Sequence, residues 1–143
     1  MSKLNDAVFE ELVEQGFVVV PDYITGEKLR TLQAAQRRVL PSWEEVKHDP
    51  PGDQEGYSRL VPFPYEDPDL YKESMNEESI AFARRWLKTD NIHMRVGALI
   101  ARYPGHTWGG TGSDDSGLHI DNVNNSLLPL SEDLREFGQI GFW

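Results

Sequence analysis

Residues 92–101, IHMRVGALIA, alternate along their whole length. Ile92, Met94, Val96, Ala98 and Ile100 fall on one side, and His93, Arg95, Gly97, Leu99 and Ala101 on the other. Successive side chains of a strand point to opposite faces, so this run predicts a β-strand with Ile92, Met94, Val96, Ala98 and Ile100 buried. Such a strand needs neighbours for its backbone groups and an apolar layer for its inner face. The rest of the chain must provide both.

Upstream, helical periodicity dominates. NDAVFEELVEQGF (5–17) predicts a helix capped by Asn5, stopped by Gly16 and facing inward through Val8, Phe9, Leu12 and Val13. FVVVP (17–21) is β-branched and closed by a proline, the composition of a short strand. Thr25 is placed to cap GEKLRTLQAAQRRVL, whose Leu29, Leu32, Val39 and Leu40 would turn inward before Pro41 ends the helix. SWEEVKHDPPGDQEG (42–56) predicts a loop, and the prolines of SRLVPFPYEDPDLY (58–71) allow edge strand and extended coil. A third helix is expected over Glu77–Leu87, capped by Asn76, with Ile80, Phe82, Ala83, Trp86 and Leu87 apolar. After the alternating strand come the loop HTWGGTGSDDSG, a short strand through His119 and Asp121, a long connection, and another strand beginning at GQIGFW. Helices first and strands after them make an α+β domain, with 1–90 as an N-terminal helical region and 91–143 as the first strands of a sheet.

Composition narrows the function. A net charge of −10 gives no basic footprint for nucleic acid or an anionic membrane. The paired arginines 37–38 and 84–85 fit solvated helix faces. With no long apolar run and no signal-peptide core, a soluble cytoplasmic protein is expected. The absence of cysteine excludes disulfides, thiolate zinc sites and cysteine nucleophiles, so any metal must be held by His and carboxylates.

His119 and Asp121, in GLHIDN, are the pair that meets this requirement. On a strand, residues i and i+2 share a face with Cα atoms roughly 6.5 Å apart, so an imidazole and a carboxylate can converge on one cation. That is two thirds of the 2-His-1-carboxylate triad of non-haem Fe(II) oxygenases. The same two side chains could instead hydrogen-bond to loop backbone at a strand end. Of the other histidines, His48 suits a surface, His93 a structural position, and His106 a Gly-rich loop. Asn122 and Asn125 fit either substrate binding or turn formation, and SDDSG lacks the ligand spacing of an EF-hand. The loop from Gly105 to Gly117, anchored by Trp108 alone, is expected to be the least ordered internal segment and to cover the site as a lid.

GFVVVPDYITGEKLRTLQ resembles the opening of the phytanoyl-CoA dioxygenase family. LIARYPG, followed by a loop and then LHIDNVNNSLLP, resembles that family's strand, loop and metal-binding strand. PFPYEDPDLY is similar to a stretch in a subgroup with an H-x-D-x-x-N-type run. The resemblance runs in order through nearly the whole chain and implies N-terminal helices packed on a double-stranded β-helix, or jelly roll. It implies Fe(II) held by His119 and Asp121, 2-oxoglutarate as cosubstrate, and a small organic molecule as substrate, and it leaves the oligomeric state open. Arg95, Arg102 and Tyr103 lie where the family often places cosubstrate contacts, with surface salt bridges as the other role for the arginines. The family also needs a second His, then a cation for the far carboxylate of 2-oxoglutarate. No His follows Asp121, and Arg135 comes too early. An eight-stranded jelly roll is therefore expected to be incomplete here. The expectation is an N-terminal piece of a larger enzyme or a truncated gene product, inactive by itself. A non-catalytic or degenerate jelly-roll module that binds a partner is the alternative.

Overall fold

Asn5 and Gly16 bound the first helix as their chemistry requires. In a computed structural model, which describes residues 2–48, 58–103 and 139–143, the order is α1 (Asp6–Gln15), α2 (Gly26–Val39), α3 (Trp43–Val46), β1 (Ser58–Pro62), α4 (Pro68–Ser74), α5 (Glu77–Leu87) and β2 (Ala98–Arg102). The described residues are α+β and fall into two compact units. The first holds 2–25, 75–94 and 139–143, and the second 26–48, 58–74 and 95–103. No described helix is long and apolar enough to cross a membrane.

In the first unit, the Asn5 side chain accepts the Val8 N–H at 3.2 Å, satisfying one orphan donor of α1. Gly16 ends the helix at φ +78°, a left-handed conformation that costs glycine little, and its N–H reaches the Leu12 carbonyl at 2.9 Å. Phe9 and Leu12 are buried, but Val13 is 48% exposed. Val8 and Leu12 lie to one side of Phe9 around the helix and Val13 to the other, and the core is on the Val8 side. On α5, which has the expected bounds, Asn76 accepts the Ser79 N–H at 2.8 Å. Phe9, Leu12 and Phe82 form the core, with Leu4, Val8, Val18, Trp86 and Ile140 packed against it. Phe9 meets Phe82 edge-on at 5.6 Å, and the Arg85 guanidinium lies 3.8 Å over the Phe9 ring while pairing with Asp6 at 2.7 Å.

Two expected strands are absent here. Residues 17–20 have no strand geometry: Val18 turns onto the core while Phe17 and Val19 stay exposed. β-Branched composition suits a pleated, half-buried surface, but a strand also requires a neighbour to take its backbone groups. Residues 139–143 likewise form no strand; Ile140 packs on the core and Phe142 meets Phe82 edge-on at 6.5 Å.

The second unit contains two helices where the sequence suggested loop and coil. α3 follows Ser42, whose N–H and hydroxyl both donate to the Glu45 carboxylate, at 2.7 and 2.8 Å. These bonds hold the Glu45 pKa below its ordinary value, the backbone N–H contributing most. Pro68 opens α4 at a position where its missing N–H is harmless. Asp67 caps it, accepting from the N–H groups of Asp69 at 3.0 Å and Leu70 at 3.3 Å. Arg38, in the last turn of α2, forks onto Asp67 at 2.7 and 3.1 Å and reaches Asp69 at 2.7 Å. Lys28 and Glu73 add a second α2–α4 ion pair at 2.8 Å. On α2 the contacts inward are made by Ala35 and, just beyond its end, Leu40, whereas Leu29 is 40% exposed.

Asp67 is nearly buried, and its pKa is lowered first by the Arg38 hydrogen bond and also by the capping N–H groups. The sign follows directly: a depressed folded-state pKa contributes stability that is present above the unfolded value and lost as pH falls through the folded one. Urea midpoints measured against pH are therefore expected to fall on acidification below the ordinary aspartate range. Asp67→Asn should be less stable at neutral pH and show a flatter acid limb; parallel limbs would remove Asp67 from the acid response.

β1 and β2 pair antiparallel, with Ser58 opposite Arg102, Leu60 opposite Ile100 and Pro62 opposite Ala98. The Phe63 N–H then reaches the Gly97 carbonyl at 2.8 Å. Among the described residues the sheet has these two strands. The strand predicted over 92–101 is shorter and inverted. Residues 91–97 lie outside it, Leu99 and Ala101 are the more buried positions, and Ile100 (49%) and Val96 (79%) are exposed. Both phases of the run are apolar at its end, so alternation identified which residues share a face without identifying the inner face. Beyond β1, Phe63 stacks on Tyr71 at 5.7 Å and meets Tyr65 edge-on at 5.8 Å, and burial raises the Tyr65 pKa.

Candidate functional site

Three of the five candidate residues lie at or near β2. Arg102 is its last residue, opposite Ser58 across the pair, and is exposed on the same face as Ala98 and Ile100. Arg95 is exposed in the irregular segment preceding the strand. β2 does not extend back to residue 95, so alternation along the strand relates Arg102 to Ile100 and not to Arg95.

Tyr103 follows β2 directly, and its surroundings are specific. Its hydroxyl donates to the carbonyl of Pro41, and its ring stacks on Trp43 at 6.3 Å with an interplanar angle of 24°. Pro41 and Trp43 flank Ser42 between α2 and α3, so Tyr103 joins the end of β2 to that corner. A phenol in this position has its proton engaged with backbone and one ring face covered. The loop composition of 42–56 gives Trp43 no helical setting from which to expect this contact. The available signal was Ser42-x-x-Glu45, the spacing of a capping box at a helix start.

His119 and Asp121, the candidate metal ligands, lie outside the described residues, as do His106, Trp108, Asn122, Asn125 and the 105–117 loop. Of the remaining histidines, His48 is exposed, as expected for a surface residue. His93 is also exposed, which does not fit the packed structural role. Among the described residues no group of three or more His, Asp or Glu side chains could hold a metal ion. The strongest charged cluster, Arg38 with Asp67 and Asp69, joins two helices, and its carboxylates already accept from a guanidinium. No protein family, curated protein or solved structure matches this chain.

Proposed function

We propose that this chain belongs to an Fe(II)- and 2-oxoglutarate-dependent oxygenase of the phytanoyl-CoA dioxygenase type. Its N-terminal helices would pack on a jelly roll, and the enzyme of which it is the N-terminal portion would hydroxylate a small organic substrate in the cytoplasm. The observation that carries this proposal is His119-x-Asp121 in LHIDN, two residues apart in the sequence and downstream of LIARYPG and a Gly-rich stretch. An imidazole nitrogen with a carboxylate oxygen is a donor set suited to Fe(II). The α+β content and the antiparallel β1–β2 pair are compatible with it.

When bound, iron and 2-oxoglutarate provide the oxidising chemistry for a C–H bond. The protein's task is to hold and orient. His119 would present a neutral imidazole, and Asp121 an anionic oxygen on the same strand face. Arg95 and Arg102 would be cosubstrate contacts, where a guanidinium fork gives a directional, charge-assisted contact with a carboxylate. Tyr103 would fix the course of the chain leaving β2, because its hydroxyl is engaged with Pro41.

A second proposal is the alternative to catalysis. It is a non-catalytic jelly-roll module that retains the fold without turnover. Anaerobic Fe(II) titration by calorimetry separates the two, using the unaltered chain, His119→Ala and Asp121→Ala. The oxygenase proposal requires binding that both substitutions weaken; absence of site-dependent binding leaves the module.

A further inference from the structure

Glu78, at the second position of α5, gathers more donors than any other described carboxylate of the first unit. Its Oε1 accepts the Ser2 hydroxyl at 2.6 Å and the backbone N–H groups of Lys3 and Leu4 at 2.7 and 3.0 Å. Its Oε2 accepts the Tyr23 hydroxyl at 3.3 Å. Three of these four donors come from consecutive residues of one short segment. Successive backbone N–H groups converging on one anion form a nest, here filled by an intrachain carboxylate. The same segment carries Leu4 onto the Phe9–Leu12–Phe82 core, and its Lys3 ammonium donates to the Asp22 carbonyl.

We propose that Glu78 is a protonation-sensitive latch that straps residues 2–4 to the first unit. Hydrogen bonds to an ionised acceptor are roughly twice as strong as neutral ones, and Oε1 alone receives three of them. A protonated carboxyl keeps its shape but loses that charge, and its own O–H competes with the incoming donors for space. Ionisable groups on the surrounding elements are Lys3 on the strap, Asp6 on α1, Asp22 and Tyr23 on the connecting segment, and Glu77 and Arg85 on α5. Asp6 and Arg85 pair with each other, and Tyr23 is hydrogen-bonded to the latch itself. The Glu78 pKa is lowered chiefly by the Leu4 N–H, then by Ser2, Lys3 and Tyr23. The latch is therefore closed at neutral pH and opens only as pH falls through this depressed value, below the ordinary glutamate range. Its opening releases Leu4 from the core.

The experiment is amide NMR on the full chain. In Glu78→Gln at neutral pH, protection of the Lys3 and Leu4 amides from exchange is expected to fall by about tenfold or more, with α5 interior amides unchanged. In the unaltered protein, heteronuclear NOEs of residues 2–4 should drop along the same curve as the Glu78 carboxyl carbon shift. If Glu78→Gln does not fold, this acid titration decides by itself. A strap that stays ordered after Glu78 is protonated, or keeps its protection in Glu78→Gln, overturns the proposal.

Discussion

Phe82→Ala is expected to destabilise the protein by about 3–5 kcal/mol, the range for removing a buried aromatic ring. Phe82 is 5% exposed and belongs to a core of three buried residues with Phe9 and Leu12. Its ring edge contacts with Phe9 and Phe142 would vanish together, leaving a cavity that a core this small has few side chains to fill. Small domains have about 5–15 kcal/mol in total, so one such loss approaches unfolding. Val19→Ala is the control: Val19 is 74% exposed, and the change should stay within about 0.5 kcal/mol. Urea denaturation of the three proteins measures both effects. A Phe82→Ala loss no greater than that of Val19→Ala would remove Phe82 from the core.

The second large effect concerns the metal. His119→Ala or Asp121→Ala is expected to weaken Fe(II) binding by more than the ~10–100-fold that follows removal of a hydrogen-bond partner behind a ligand. A ligand lost outright leaves its corner of the coordination sphere to water and removes a preorganised donor. If His119 and Asp121 are the sole protein ligands these 143 residues offer, 2-oxoglutarate-dependent succinate release by them is expected to be absent. Robust release would mean that another residue completes the site, His106 first.

Local signals in the sequence were legible where one residue determines one backbone group. Asn5, Gly16 and Asn76 marked helix ends because each satisfies an orphan N–H or accepts a left-handed φ, and α5 has the bounds read for it. Two helix starts carry equally local signals. Ser42-x-x-Glu45 and Asp67-Pro68 are N-terminal signatures, set within segments whose prolines and glycines otherwise favour loop and coil. The inward phase of β2 could not be read, because Leu99 and Ile100 are both apolar and only packing decides between them. Strand formation at 17–20 was equally illegible, since pairing is not a property of the segment itself. At the candidate site, Arg95, Arg102 and Tyr103 were identified by order along the chain. The stacking of Tyr103 on Trp43 joins residues 60 positions apart, and no local pattern encodes it.

Paramagnetic line broadening on titration with Mn(II), a probe of the same nitrogen and oxygen donors, tests the metal assignment most directly. Broadening is predicted to begin at the amides of His119 and Asp121 and their immediate neighbours, and to disappear from them in both His119→Ala and Asp121→Ala. Broadening centred elsewhere, such as on Glu10, Glu11 and Glu14 of α1, with residues 119 and 121 unaffected, would contradict it.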